Sequence, residues 1–101
     1  MARKVKNIRI IGTIKDTLND NVDIEVDLDD ATVYTATFFT VTNIIYLMNN
    51  YKYFTGDCNN GKYFWASDMC IVDILEYSRI EETIISIFNE GLLEQIFRRI
   101  K

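Results

Sequence analysis

From Val22 to Asp29 the chain alternates without a break: Val22, Ile24, Val26 and Leu28 are separated by Asp23, Glu25, Asp27 and Asp29. A period of two sends successive side chains to opposite faces of a β-strand, so this segment is a strand with one apolar face and one purely acidic face. The apolar face needs a core, and a one-residue slip in pairing would turn the carboxylates into it. The alternation therefore fixes sidedness as well as element type. Alternate residues on one face lie about 6.7 Å apart, at a rise of about 3.35 Å per residue.

The flanking pattern extends this strand into a meander. Ile8, Ile10 and Ile14 alternate with Asn7, Arg9, Thr13 and Lys15, with Gly12 marking a bulge or a close backbone approach. Polar turn residues follow at Asp16 to Asn21. After the acidic strand, Asp29-Asp30 turns the chain into the β-branched and aromatic run Thr32 to Val41. The period then becomes helical. Ile44, Leu47, Met48 and Tyr51 fall at i, i+3, i+4 and i+7, with Thr42 as the N-cap.

Gly56 to Gly61 is the strongest loop signal, and a strand segment is expected from about 62 to 74, either bulged or folded as a hairpin near Ser67-Asp68. Ser78 and Glu81 fit a capping box for a helix over 79–90, whose stripe is Ile80, Ile84, Ile87 and Phe88 and whose end is Gly91. Leu92, Leu93, Ile96, Phe97 and Ile100 predict a short terminal helix, with Arg98, Arg99 and Lys101 in the last turn. The expectation is a single α+β domain over residues 1–101. It has an antiparallel sheet of four or five strands, helices packed on one face, and the order βββαβ(β)αα.

Charge is distributed unevenly. Residues 1–15 carry five bases and no acid, whereas residues 16–30 carry seven acids and no base. If the first two strands pair, Arg9 and Lys15 face the acidic rail and neutralise part of it. Duplex DNA presents one phosphate per roughly 1.7 Å of axis, so a rail this sparse does not imitate DNA. It suits a basic protein instead, because a field of one sign steers encounter.

Several classes are not expected. Parallel carboxylates on a flat strand do not converge on a cation, the chain has no histidine, and Cys58 and Cys70 are too few for a zinc motif, so no metal or other cofactor is expected. The basic start lacks an apolar continuation and no apolar run is long, so neither a secretion signal nor a membrane span is read. A cytoplasmic location with free thiols follows. Nucleic-acid binding is not favoured, since only Lys52 and Lys62 lie near the aromatic cluster.

That cluster is the second candidate site. Tyr51, Tyr53 and Phe54 precede the loop and Tyr63, Phe64 and Trp65 follow it, six of the chain's 13 aromatics. About half are expected in the core, leaving the others for an anchor or pocket wall. A pocket would be lined by Tyr51, Tyr63, Trp65, Ser67 and Asp68. Ser67 and Asp68 read as a turn, because a hydrolytic serine needs a histidine or lysine beside it. No phosphate-binding glycine motif is present.

At Gly61-Lys62-Tyr63-Phe64-Trp65-Ala66-Ser67-Asp68-Met69, with Thr37-Phe38-Phe39-Thr40, the chain resembles a group of small uncharacterised bacterial proteins of similar length. The resemblance spans most of the chain from about residue 30 and carries no site residues. In size, acidity and sheet-plus-helix plan it also resembles immunity proteins that neutralise bacterial toxins, many of which set carboxylates against a basic nuclease. The leading expectation is a non-enzymatic interaction module whose partner-binding residues are Asp23, Glu25, Asp27 and Asp29, facing a basic protein. The alternatives are a small-molecule-binding protein or weak enzyme around Trp65 and Asp68, and a structural homodimer joined through the apolar terminal helix. The chain is thus read as a monomer or homodimer.

Overall fold

In the computed structural model, which describes residues 3–101, three strands follow one another: β1 (Val5–Ile11), β2 (Asn21–Leu28) and β3 (Val33–Thr40). β1 pairs antiparallel with β2 and β2 with β3. The alternation behaves as the sequence requires, since Val22, Ile24, Val26 and Leu28 are all buried while Asp23 and Asp29 are exposed. A turn at Asp29-Asp30, with Ala31 left-handed at φ 69°, joins β2 to β3. Asp30 holds it closed by accepting from the Thr32 N–H and hydroxyl, which keeps the Asp30 carboxyl below its ordinary range. The bulge falls between Val5 and Asn7, not at Gly12, which lies just past the end of β1 at φ 112°.

β3 runs directly into α1 (Val41–Asn50), capped by Thr40 instead of Thr42: the Thr40 hydroxyl accepts from the Asn43 N–H at 3.1 Å. A π-helical turn (Tyr51–Thr55) and the short α2 (Asp57–Gly61) follow. Within α2, Cys58, Asn59 and Asn60 take left-handed angles, reversing the chain. This reversal depends on Gly61, where a Cβ would lie 2.1 Å from the Met48 carbonyl oxygen. The return segment reaches β4 (Met69–Val72), which pairs with β3 in parallel, as a strand–helix–strand connection allows.

The strand expected over 62–74 is thus confined to Met69–Val72. Phe64 is drawn onto Phe39 and Tyr51, and Asp68 adopts φ 52°, so residues 62–68 cannot run as a ladder.

α3 (Tyr77–Asn89) starts two residues early for the capping box, and neither Ser78 nor Glu81 caps it. Burial of Leu75, whose N–H donates to the Thr17 carbonyl at 2.8 Å, sets where the helix begins. Its end follows the pattern: Gly91 is left-handed at φ 74°, Leu92 N–H donates to the Ile87 carbonyl and Gly91 N–H to Phe88, a Schellman cap. α4 (Leu93–Ile96) is shorter than expected, because the chain leaves it as β5 (Arg98–Arg99), antiparallel to β3.

Phe97 enters the core edge-on to Phe38 at 6.0 Å between ring centroids, and Ile100 N–H donates to Val33. Core packing and ladder hydrogen bonds outweigh the helical pattern there. β3 is therefore central, with β2 on one side and β4 and β5 sharing the other. α3 and α4 cover the apolar face, with Ile80 and Ile84 fully buried among Ile24, Val26 and Phe38.

Candidate functional site: an aromatic arm beside an acidic sheet face

The other sheet face carries the rail, and every carboxylate on it has a partner. Arg9 bridges Glu25 at 2.9 Å and holds Asp27 through two N–H donors. Asp23 accepts from the Thr37 hydroxyl at 2.7 Å, and Asp29 from the Lys4 N–H at 3.0 Å. Lys15 plays a different part from the one expected. Its backbone N–H donates to Asp20, and among the described residues its ammonium makes no ion pair. Neutralisation of the rail falls to Arg9, whose guanidinium is stabilised in its charged form by Asp27 first and Glu25 second.

At the end of β3 the chain from α1 to residue 66 stands off the sheet as an arm. The molecule measures 51 × 23 × 22 Å, and its radius of gyration of 14.7 Å exceeds the roughly 13 Å of a compact domain this size. The root is built from polar anchors and one aromatic joint. Asn43, buried at the start of α1, accepts from Asn21 Nδ2 at 2.9 Å and donates to Asn19 at 3.1 Å. Phe64 lies edge-on to Phe39 at 5.1 Å and stacks on Tyr51 at 6.5 Å.

The rest of the arm is uncovered. The stripe Ile44, Leu47, Met48 and Tyr51 is half-buried, while Ile45 and Tyr46 on the other side are exposed. Tyr53, Phe54, Tyr63 and Trp65 are exposed too, Phe54 at 82% and Trp65 at 68%. Four of the six clustered aromatics therefore face outward, more than the half expected. The helical stripe by itself misses Ile45 and Tyr46, although a second signal marks them. Val41–Asn50 contains no charged residue, and Val41, Ile45 and Tyr46 add apolar side chains outside the stripe.

The five residues expected to line one pocket are not gathered. Tyr51 is at the root of the arm, and Tyr63 and Trp65 lie on its exposed surface. Ser67 and Asp68 instead meet Asp23, Thr35, Thr37 and Arg98 in a shallow cleft of about 140 Å³. Asp68 also borders a larger cleft of about 420 Å³ with Tyr34, Glu94, Phe97, Arg98 and Arg99. Arg98 pairs with Asp68 at 3.2 Å, a contact between positions 30 apart that no local pattern announces.

On the far side of this cleft Glu94 accepts from the Tyr34 hydroxyl at 3.0 Å and from Arg3 at 3.2 Å. These bonds hold the Glu94 carboxyl below its ordinary range, Tyr34 contributing most. The terminal helix offers little free surface, because Leu93 and Phe97 are in the core.

Among the described residues no group of three or more metal-ligating side chains converges, and no helix is long and apolar enough to cross a membrane. No family model matches the chain, and no curated protein and no solved structure matches it.

Proposed function

We propose that this chain is a non-enzymatic protein-interaction module that docks through the aromatic arm, with the acidic face of β2 biasing it toward a basic partner in the manner of an immunity protein. The observation that carries this reading is the exposure of Tyr46, Tyr53, Phe54, Tyr63 and Trp65 on one projecting element. Tyrosine and tryptophan anchor interfaces because they bury large areas with few torsions to immobilise, and monomers seldom expose them together. The rail contributes steering more than affinity, since Arg9 already occupies Glu25 and Asp27. Free Cys58 and Cys70 fit a reducing, cytoplasmic setting.

The test compares capture of partners from a cell lysate by three proteins: the wild type, the double variant Phe54→Asp/Trp65→Ser, and the charge reversal Asp23→Lys/Glu25→Lys/Asp27→Lys. The arm variant is expected to lose its partner and the reversal to weaken capture at low salt. Capture unchanged in both sinks the proposal.

The alternative is a small-molecule site, favoured by the cleft of about 420 Å³ in which Asp68, Arg98 and Arg99 surround the aromatic floor of Tyr34 and Phe97. Its volume lies within the range of ligand pockets, about 300–1,000 Å³. A thermal shift with a metabolite library, lost in Asp68→Ala, supports this reading; a library without a hit opposes it.

A further inference from the structure

β1 is the outermost strand of the sheet: β2 takes one of its edges, and among the described residues no strand takes the other. In an antiparallel ladder alternate residues turn their N–H and C=O away from the partner, so a seven-residue strand leaves a row of backbone groups on its far side. The Ile8 N–H takes the Asn7 side-chain carbonyl at 3.1 Å, a contact within the strand itself. α3 flanks this edge. Val5, Lys6 and Ile8 of β1 face Tyr77, Glu81 and Ile85 of α3 across a groove of about 160 Å³. The three helix residues are four apart and so form one line along α3, and Tyr77 and Ile85 are exposed. An unpaired strand edge beside an apolar helix line supplies both parts of strand addition: backbone groups to pair, and a slot for alternate side chains.

Charge decides what such a strand carries. Lys4 and Lys6 are exposed at the bulged end of β1 and pair with no carboxylate among the described residues, whereas Arg9 is already held by Glu25 and Asp27. The β1 of a second copy would bring only bases to this edge, so the lysine-bearing bulge guards against self-pairing and leaves the edge open to an acidic strand. Glu81 in turn keeps carboxylates out of the groove. The chain itself holds one strand of this pattern. β2 pairs with the other edge of β1, its apolar residues buried, and its acidic end reaches Lys4, where Asp29 exchanges backbone and side-chain bonds with the main chain.

We infer that the free edge of β1 and its groove with α3 take an extended peptide of another protein, added to the sheet as a further strand, with apolar side chains toward Tyr77 and Ile85 and carboxylates toward Lys4 and Lys6. This site shares no residue with the aromatic arm.

The probe is a synthetic peptide with the sequence of residues 21–29, titrated into the isotope-labelled full chain. Saturable binding below about 1 mM is expected, with amide shifts in residues 5–11 and 77–85. Lys4→Glu/Lys6→Glu and Ile85→Asp are each expected to weaken it at least about tenfold, as is replacing the four peptide acids by lysine. Should Ile85→Asp misfold, Tyr77→Ser takes its place. Phe54→Asp/Trp65→Ser is expected to bind the peptide as the wild type does.

No binding, shifts centred on the arm or on β4, or equal binding of the lysine-substituted peptide overturns the inference. Shifts through β2 and β3 mean exchange of the peptide for β2 and overturn it as well. Full affinity in the folded groove variants does the same.

Discussion

Arg9 grips Asp27 with two donors, Nη2 to Oδ1 at 2.7 Å and Nε to Oδ2 at 3.2 Å, and turns its remaining nitrogen to Glu25. One planar guanidinium thereby spans two carboxylates spaced by a strand repeat, which an ammonium cannot do. Arg9→Ala is expected to lower Tm by at most about 5 °C at low salt, because the group is solvent-screened. The difference shrinks as salt rises, since the carboxylates it leaves unpaired repel one another less. Arg9→Lys recovers only part of it. Thermal melts at two ionic strengths measure all three.

Glycine is needed far more at the left-handed reversal of the arm tip than just past the end of β1. Gly61 has φ 73°, and its missing Cβ would strike Met48 O at 2.1 Å and Lys52 N at 3.1 Å. Gly12 has φ 112° with nothing within 4 Å. Gly61→Ala is expected to cost more than about 3 kcal/mol, strain and clash together, and Gly12→Ala about 1–2 kcal/mol from strain alone. Urea denaturation of the two variants separates them; equal costs would mean the arm tip yields.

Asn43 ties the arm to the β1–β2 connection through Asn19 and to the start of β2 through Asn21. Asn43→Ala removes both bonds at a buried position and is expected to cost about 1–3 kcal/mol. The loosening falls on the arm, so limited proteolysis should cut residues 51–62 faster while the sheet stays protected.

Asp20 accepts three backbone N–H bonds, from Lys15, Asp16 and Asn21, and the Lys15 bond is the main cause of its depressed carboxyl pKa. A depressed folded-state pKa contributes stability that is present above the unfolded value of about 3.9 and is lost as pH falls through the folded value. Asp20→Asn is therefore expected to be less stable than wild type at pH 7 and to approach it as pH falls below the ordinary carboxylate range. Acid titration of Tm for both proteins checks the convergence; a gap independent of pH would show that the charge is immaterial.

Elements whose pattern is strictly local are legible in the residues themselves. The β2 alternation sets both strand and sidedness, the Ile80–Ile84–Ile87 stripe finds its helix face, and Gly91 ends that helix in the left-handed conformation only glycine takes freely. The features that local pattern misses depend on what lies opposite. Ser78 loses its capping role because Leu75 must reach the core, and Phe97 turns a helical ending into β5 because Phe38 and Val33 offer packing and hydrogen bonds there.

The acidic alternation alone determined that β2 has one buried and one charged face, since the Cβ period of a strand admits no other arrangement. Tertiary structure decided how that charge is met. Of the two bases expected on the rail Arg9 takes Glu25 and Asp27, while Lys15 reaches only Asp20, through its backbone N–H; Arg98, brought in by β5, closes on Asp68; and the aromatic arm is left exposed. Hydrophobic pattern records which surfaces avoid water, but whether the cover comes from the same chain is settled only by where the chain's other surfaces end up.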